Sequence, residues 1–516
     1  MPAAVGIDLG TTFSAVAVMR PSTGPEVLRN KEDEIITPSV VFFSDGGEAL
    51  VGTQAKNMAK TSKDVVQFVK RYMGLPDWRF YTTFGKEYRA EEISALILKR
   101  LKEDAEQALG EPITDAVITV PAYFGEAERM ATRQAAQMAG LNAVRLLNEP
   151  TAAALAFGQN ESSEGVTLVY DLGGGTFDVT VMRKDGQEIT VLATSGNRLL
   201  GGFDFDNALM NYVTEAISDQ GGQVPLEAAG DLREKCETAK RALTTTARTK
   251  IMMGIDGTMY QVPVSREDFE RVTAHLLDET RDKTERVLAD AGIGWTEVDH
   301  FLLVGGSTLM PMVPHMAEQL WGKPIERKVR PNEAVALGAS IQAAMTQVGG
   351  DDPDPADGGT TRTALLSLFG GEMPSVGDVT SQGLGIVATD IATNQEVNSV
   401  IIEPNTRIPI AGGRSKNYQT AAANQTSIQL RVTQGNSEDL QLAKVIGEST
   451  VAIPPYPKGA PIRVTFNYDP DQTIDIEAYD LTADKSLGHF EIDRVANLSA
   501  SELGESTALV ASIDVL

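Results

Sequence analysis

One segment occurs twice in this chain, and it limits the folds available more than any other feature. Gly6-Ile7-Asp8-Leu9-Gly10-Thr11-Thr12-Phe13 leads into Ala17-Val18-Met19-Arg20, and Val169-Tyr170-Asp171-Leu172-Gly173-Gly174-Gly175-Thr176 leads into Thr180-Val181-Met182-Arg183. Each copy reads as strand, tight turn, strand, with an aspartate closing the first strand. Glycine lets a turn adopt positive φ and lets a ligand approach the backbone closely. The exposed N–H groups of such a turn form a nest for phosphate, and threonine hydroxyls add donors. A single turn of this kind is equally a plain hairpin. Two copies, at the heads of two half-domains, point to two lobes gripping one nucleotide from opposite sides. Two aspartates facing the same phosphates need a cation between them, so Asp8 and Asp171 imply Mg²⁺ held through water. No G-x-x-x-x-G-K-[ST] run occurs, which excludes a P-loop protein, and no strand–G-x-G-x-x-G–helix unit occurs, which argues against a dinucleotide enzyme.

A third glycine turn, Gly305-Gly306-Ser307-Thr308, follows a buried-type strand at 300–304 and opens toward a helix. It could seat a flat ring or a sugar, or be a simple turn. Around these turns, residues 1–348 alternate strand and helix patterns, with strands expected at 5–8, 14–19, 116–120, 167–171, 178–182 and 300–304. Helices are expected at 91–109, 126–139, 231–242 and 266–291. The fold class expected for this part is α/β. Residues 349–378 read as a flexible linker, acidic and rich in Pro and Gly over 349–359. Residues 379–494 alternate apolar and polar residues in short runs, as at 426–432, 462–468 and 474–479, and suggest an antiparallel β-sandwich. Residues 495–516 are expected to be a short tail, with two helical turns at most.

The formal net charge of −26 makes nucleic acid and anionic membrane surfaces poor partners. The single cysteine, Cys236, permits no internal disulfide, and the four histidines show no metal-ligand spacing. With no secretory leader pattern at Met1–Val5 and no apolar run near membrane-span length, the expected compartment is the cytoplasm.

The motifs Ile7-Asp-Leu-Gly-Thr-Thr12, Val120-Pro-Ala-Tyr-Phe124, Asn148-Glu-Pro-Thr-Ala-Ala-Ala154, Asp171-Leu-Gly-Gly-Gly-Thr-Phe-Asp178, Leu200-Gly-Gly202 and Val304-Gly-Gly-Ser-Thr308 together resemble the seventy-kilodalton heat-shock protein family of DnaK-type chaperones. The likeness is strong over 4–348 and looser over 378–495. It implies an actin-like (ribonuclease-H-like) two-lobed ATPase domain followed by the β-sandwich, with ATP or ADP and Mg²⁺ bound. By position it assigns Gly10, Thr11, Thr12 and Phe13 to a phosphate cradle on one lobe. Gly173, Gly174, Gly175 and Thr176, with Gly201 and Gly202, would form the cradle on the other. The resemblance also makes Lys70, Glu149, Asp171 and Thr176 catalytic. Glu237, Lys240, Arg241 and Thr244 would hold adenosine together with Gly305, Gly306 and Ser307. Pro121 and Arg129 match the family's interdomain switch, and Arg145 and Asn148 the place where J-domain co-chaperones dock. Ile386, Tyr418, Ala421, Ile428 and Leu430 would line a groove for extended hydrophobic polypeptide segments. A nucleotide-exchange factor is a further implied partner.

The chain departs from the family pattern in four places. Leu309 stands where an arginine usually stacks on adenine, and Asn332 replaces an aspartate. Pro374 and Gly377 interrupt the apolar interdomain linker, for which the run 364–369 is a candidate replacement. No helical lid follows the sandwich. These departures leave room for a second reading, an ATP-switched protein with one dedicated partner, and for a third, a small-molecule kinase on the same fold.

Overall fold

The computed structural model describes residues 3–159, 163–325, 330–348, 358–390, 392–468, 474–490 and 497–516. The duplicated segments build two sheets on one plan. In the first, Val5–Asp8 lies between antiparallel Phe13–Arg20 and parallel Asp115–Val120, and Asn142–Asn148 continues the parallel side. In the second, Gly165–Leu172 lies between antiparallel Phe177–Asp185 and parallel His300–Val304. Both central strands are buried on both faces, which explains why they read as continuous apolar runs. All six expected strands fall on strands of these sheets.

Two helices, Glu149–Gly158 and Ala334–Val348, fill the space between the sheets and carry their joint core. Their alanines and glycines allow backbone contact. A Cβ on Gly338 would lie 1.7 Å from the Ala152 carbonyl oxygen, and one on Gly6 would lie 2.1 Å from the Ser340 nitrogen. Helix boundaries follow local chemistry elsewhere too. Ser265 and Asp268 form a capping box at the start of Arg266–Ala291, and Gly292 ends it at φ 67°.

The expected β-sandwich is present as two four-stranded sheets. One contains Leu384–Thr389, Glu396–Ile402, Gln425–Gln434 and Lys444–Tyr456. The other contains Arg414–Gln419, Pro461–Tyr468, Ile474–Asp480 and Lys485–Phe490. Alternate residues such as Leu384, Val432, Phe466 and Ile476 meet between the sheets. Residues 491–494 of the expected domain lie outside the described residues, as does 349–357 of the expected linker.

The rest of that linker is not a flexible joint. Gly358–Leu368 is a helix, and Leu365 and Phe369 bury themselves against Met19, Ile341, Ala344 and Val348. Ser375–Val379 is a strand that extends the second sheet, pairing in parallel with Glu188–Asn197 and antiparallel with Arg407–Ile408. Pro374 and Gly377 do not break it. Pro374 precedes the strand, so no ladder hydrogen bond is lost, and Gly377 tucks beneath the Arg407 guanidinium. The run 364–369 is helical and is no substitute for this strand.

The C-terminal segment also differs from expectation. Ala500–Ser512 is a 13-residue helix, capped by Ser499 and Glu502. It continues into Asp514–Val515, a strand paired in parallel with Glu48–Val51 of the first lobe. Its length was hidden because it depends on tertiary burial of Leu498, Val510 and Ile513.

The docked linker helix makes a measurable prediction. Leu365→Ala should lower the unfolding free energy by about 2–4 kcal/mol in a urea titration. A flexible joint at this position would leave the midpoint unchanged.

Candidate nucleotide site

The two repeated turns touch. A Cβ on Gly174 would stand 1.8 Å from Thr12 Oγ1, and one on Gly175 would stand 2.4 Å from Thr11 Cγ2. Gly201 packs behind them, where a Cβ would lie 2.5 Å from the Gly175 nitrogen. Beneath the contact is a cleft of ≈ 300 Å³, lined by Gly10, Thr11, Thr12 and Phe13 from one lobe and by Gly173, Gly174, Thr176 and Gly202 from the other. Gly175 and Gly201 are spacers behind this lining. The third turn completes the wall with Gly305, Gly306 and Ser307. Gly305 has φ 84°, and a Cβ there would reach the Leu172 carbonyl oxygen at 2.4 Å. Ser307 Oγ donates to the Gly173 carbonyl at 2.8 Å, which ties the third turn to the second.

Lys70 and Glu149 meet at the floor of the cleft, 2.5 Å apart and both buried. Lys70 sits in the short turn Val69–Tyr72, which Phe68 starts from a left-handed conformation at φ 60°. Glu149 opens the helix between the sheets, directly after the strand that ends at Asn148. Asp8 and Asp171 lie beside this pair. Strand register adds an acid whose role the sequence reading missed. Asp171 faces Asp178 across the hairpin, whereas Asp8 faces Ala15. The signal was present in the spacing of Asp171 and Asp178 about a short turn.

Burial and the neighbouring Glu149 push the Asp8 carboxyl up to about 7 and that of Asp178 up to about 7. Asp171 is raised well above the carboxylate range by burial, Glu149 and the other aspartates. Four acids thus share one lysine. Among the described residues no group of three His, Cys, Asp or Glu side chains has the geometry to ligate a metal directly. Excess negative charge without a direct ligand cage suits Mg²⁺, which retains its waters and takes phosphate oxygens as ligands. The residues therefore fit Mg·ATP, with Asp8 and Asp171 on the cation side and the turns on the phosphates.

The outer cleft is formed by the helix Ala229–Leu243 and the residue that follows it. Glu237, Lys240, Arg241 and Thr244 all line it. Lys240 donates to the Gly202 carbonyl at 3.0 Å and to Asp206 at 2.9 Å. Asp206, also missed from sequence, is raised to about 6, chiefly by burial. The Glu237 carboxylate pairs with Lys56 of the opposite lobe at 3.0 Å, so in this arrangement it closes the cleft. Arg71 and Asp204 form a second bridge between the lobes at 2.8 Å. Leu309 is 38% exposed on the cleft wall beside Asn332, an apolar face in place of a guanidinium.

Toward the β domain, Pro121 and Arg129 are buried. Arg129 donates to the Phe124 carbonyl and to Asn148 Oδ1. Asn148 Nδ2 in turn donates to Asp378 Oδ2 of the linker strand at 2.7 Å. Burial raises the Asp378 carboxyl above its ordinary value, an effect that Arg129 and the half-buried Arg145 nearby offset only in part. The residues that the resemblance assigns to a peptide groove lie in and around the sandwich core. Ile386 and Leu430 are buried in the sandwich core, and Ile428 and Tyr418 pack against that core. The Tyr418 hydroxyl donates to Ser399 Oγ, and Ala421 is exposed at a turn.

The acid cluster fixes a pH dependence. With no cation bound, Asp8 and Asp178 have pKa values near 7 in the fold and 3.8 in the unfolded chain, so folding takes up protons between those limits. Stability of the cation-free protein therefore falls as pH rises through that window. Thermal unfolding in EDTA should show the Tm dropping from about pH 5 to about pH 8, and Asp178→Asn should flatten the slope. An unaltered slope in that variant would contradict the assignment.

The Hsp70 protein family model matches residues 4–80 and 77–508, nearly the whole chain. Members of that family are ATPases that bind ATP and ADP, typically with Mg²⁺. No helix among the described residues is long and apolar enough to cross a membrane. With two facing glycine turns, a Lys–Glu pair beneath them and a sandwich joined by a docked strand, the chain belongs to the Hsp70 family of ATP-dependent chaperones.

Proposed function

We propose that this chain is a DnaK-type chaperone that hydrolyses ATP to ADP and phosphate in the cleft between its lobes and so controls how the β domain holds extended polypeptide. The observation that carries the reading is the direct contact of the two turns above the buried Lys70–Glu149 pair. Phosphoryl transfer needs positioning and charge neutralisation more than covalent chemistry. The backbone of Gly10 to Phe13 and of Gly173 to Thr176 binds and orients the phosphates. Lys70 Nζ neutralises charge at the terminal phosphate, and Thr176 Oγ1 donates to it. Glu149 orients the attacking water and accepts its proton, with Oε1 held by Lys70. Bound Mg²⁺ supplies charge neutralisation next to Asp8 and Asp171. Glu237, Lys240, Arg241 and Thr244 hold the nucleoside end, where Leu309 offers only apolar contact. Pro121 and Arg129 relay the state of the cleft through Asn148 to the linker strand. A J-domain co-chaperone near Arg145 and a nucleotide-exchange factor complete the partners on this reading.

The burial of Ile386 and Leu430 favours a second reading, in which the β domain serves one dedicated partner through its outer surface. Turnover of the full chain with and without generic hydrophobic peptides separates the two. Stimulation supports the chaperone reading, and indifference to all peptides supports the dedicated switch. In either case Lys70→Ala should retain ATP binding by calorimetry and lose roughly 10²–10³-fold in turnover, the range seen when one charge-stabilising donor is removed. Undiminished hydrolysis in that variant would overturn the site assignment.

A further inference from the structure

We infer that residues 497–516 form an intramolecular clasp that holds the β domain docked on the ATPase domain, and that opening this clasp is the step that frees the β domain. The inference rests on packing between the domains and is independent of which client or partner the β domain takes.

The segment is built into the first lobe. Leu498, Val510 and Ile513 are buried in the same core as Ile93, Ile97 and Ala131. The helix Ala500–Ser512 packs on the helices Ala90–Leu109 and Glu126–Met138. Ser506 Oγ donates to Glu92 at 2.6 Å, and Arg89 pairs with Glu502 at 3.0 Å. Beyond the helix, Asp514 and Val515 align with Glu48 and Ala49 in a parallel ladder, and the Leu516 nitrogen donates to the Ala49 carbonyl at 2.9 Å. Lys99 Nζ donates to the Ile513 carbonyl at 2.7 Å. Arg100, 1% exposed and fixed by Glu32 and Asp104, donates to the Leu516 carbonyl at 3.2 Å. An extended segment thus satisfies the open edge of a small sheet, the arrangement of strand addition.

The clasp and the β domain grip one helix, Glu126–Met138. Gln134 exchanges two hydrogen bonds with the Leu498 backbone, and Asn497 Nδ2 donates to the Ala127 carbonyl at 2.9 Å. From the β domain, Gln434 Oε1 accepts from the Glu126 nitrogen at 3.3 Å, and Lys444 approaches Glu128 at 3.8 Å. On the second lobe, Asn405 Oδ1 accepts from the Thr194 nitrogen at 2.9 Å. The β domain is therefore anchored at both ends, by the strand Ser375–Val379 on one lobe and by residues 497–516 on the other. A second anchor raises the effective concentration of the docking surfaces without adding contacts between them. Direct contacts of the β domain also include Arg407–Glu188 at 2.8 Å and Gln382 Nε2 donating to the Tyr123 carbonyl at 3.3 Å, and the second anchor raises the docked population that these contacts set.

Hydrogen exchange at the Glu126 and Thr194 amides reads docking directly, in the full chain with and without Mg·ATP. Val510→Asp with Ile513→Asp should open the clasp and speed exchange at both amides at least tenfold, with the strand 115–120 as a control for the fold of the lobe. A second variant needs no change to the core. Glu48→Cys with Asp514→Cys places thiols on paired, exposed positions, and the single native cysteine, Cys236, is buried. Its oxidised form should slow exchange at both amides below the wild-type rate, and reductant should restore it. Wild-type exchange at Glu126 and Thr194 in the oxidised lock would overturn the inference. So would wild-type exchange there in the open variant while residues 514–516 exchange freely. A wild-type dimer whose residues 497–516 cross between copies would overturn it as well.

Discussion

The two lobes of this protein depend on one close approach, that of Gly174 and Gly175 to Thr12 and Thr11. No side chain fits at either glycine, so the backbones of two separate sheets come together at the turns. The consequence is geometric. Residues of both turns line the same small volume, together with the aspartates near the ends of the preceding strands. The joint behind the turns uses the same device, since Gly338 lies on Ala152 and Gly6 on Ser340. Small residues therefore recur wherever the halves meet, and large apolar residues recur within each half.

Close approach alone would make a poor binding site. Its value comes from an electrostatic imbalance. Asp8, Asp171, Asp178 and Glu149 crowd around Lys70, with Asp171, Asp178 and Glu149 buried and Asp8 half-buried. Isolated burial of so much negative charge costs stability, and the acids respond by holding protons to higher pH than ordinary carboxylates. A multivalent cation with its hydration shell relieves that cost, so the fold itself contributes to the preference for a metal-bearing anion. The strained Phe68 at φ 60° belongs to the same arrangement, because it aims Lys70 into the cleft.

Much of this was legible in the sequence because it depends on local rules. A strand that ends in Asp and turns through Gly and Thr carries its own geometry, and a duplicated copy carries the lobe architecture with it. Period-two alternation gave the sandwich. Alternation does not separate a groove at Ile386 and Leu430, which the family resemblance assigned, from a core, because inward-facing residues in both have one pattern. Asp206 and the paired role of Asp178 were missed because they depend on strand register and on a neighbouring helix. The linker and the C-terminal segment were misread for a different reason. Gly377 and Pro374 are poor strand residues in isolation, and Ser499 to Ser512 is a weak helix in isolation. Each is held by a surface made elsewhere in the chain, which composition does not reveal.

Those two segments give the molecule a physical route between its ends. Asn148 is buried, accepts from Arg129 and donates to Asp378, and it is covalently next to Glu149. Any arrangement without the strand Ser375–Val379 leaves the Asn148 amide without its carboxylate acceptor. Exchanging a hydrogen bond to a carboxylate for one to water costs about 1.5–3 kcal/mol. That is the size of a typical coupling free energy between two binding sites, about 5–150-fold in affinity. Loss of the acceptor also releases the side chain that steadies Arg129, whose second guanidinium nitrogen already lacks a partner among the described residues. One amide thus joins the position of the helix Glu126–Met138, the docking of the linker and the setting of the acid that faces Lys70. A single buried side chain thus stands between the acid of the cleft and the strand that leads into the β domain.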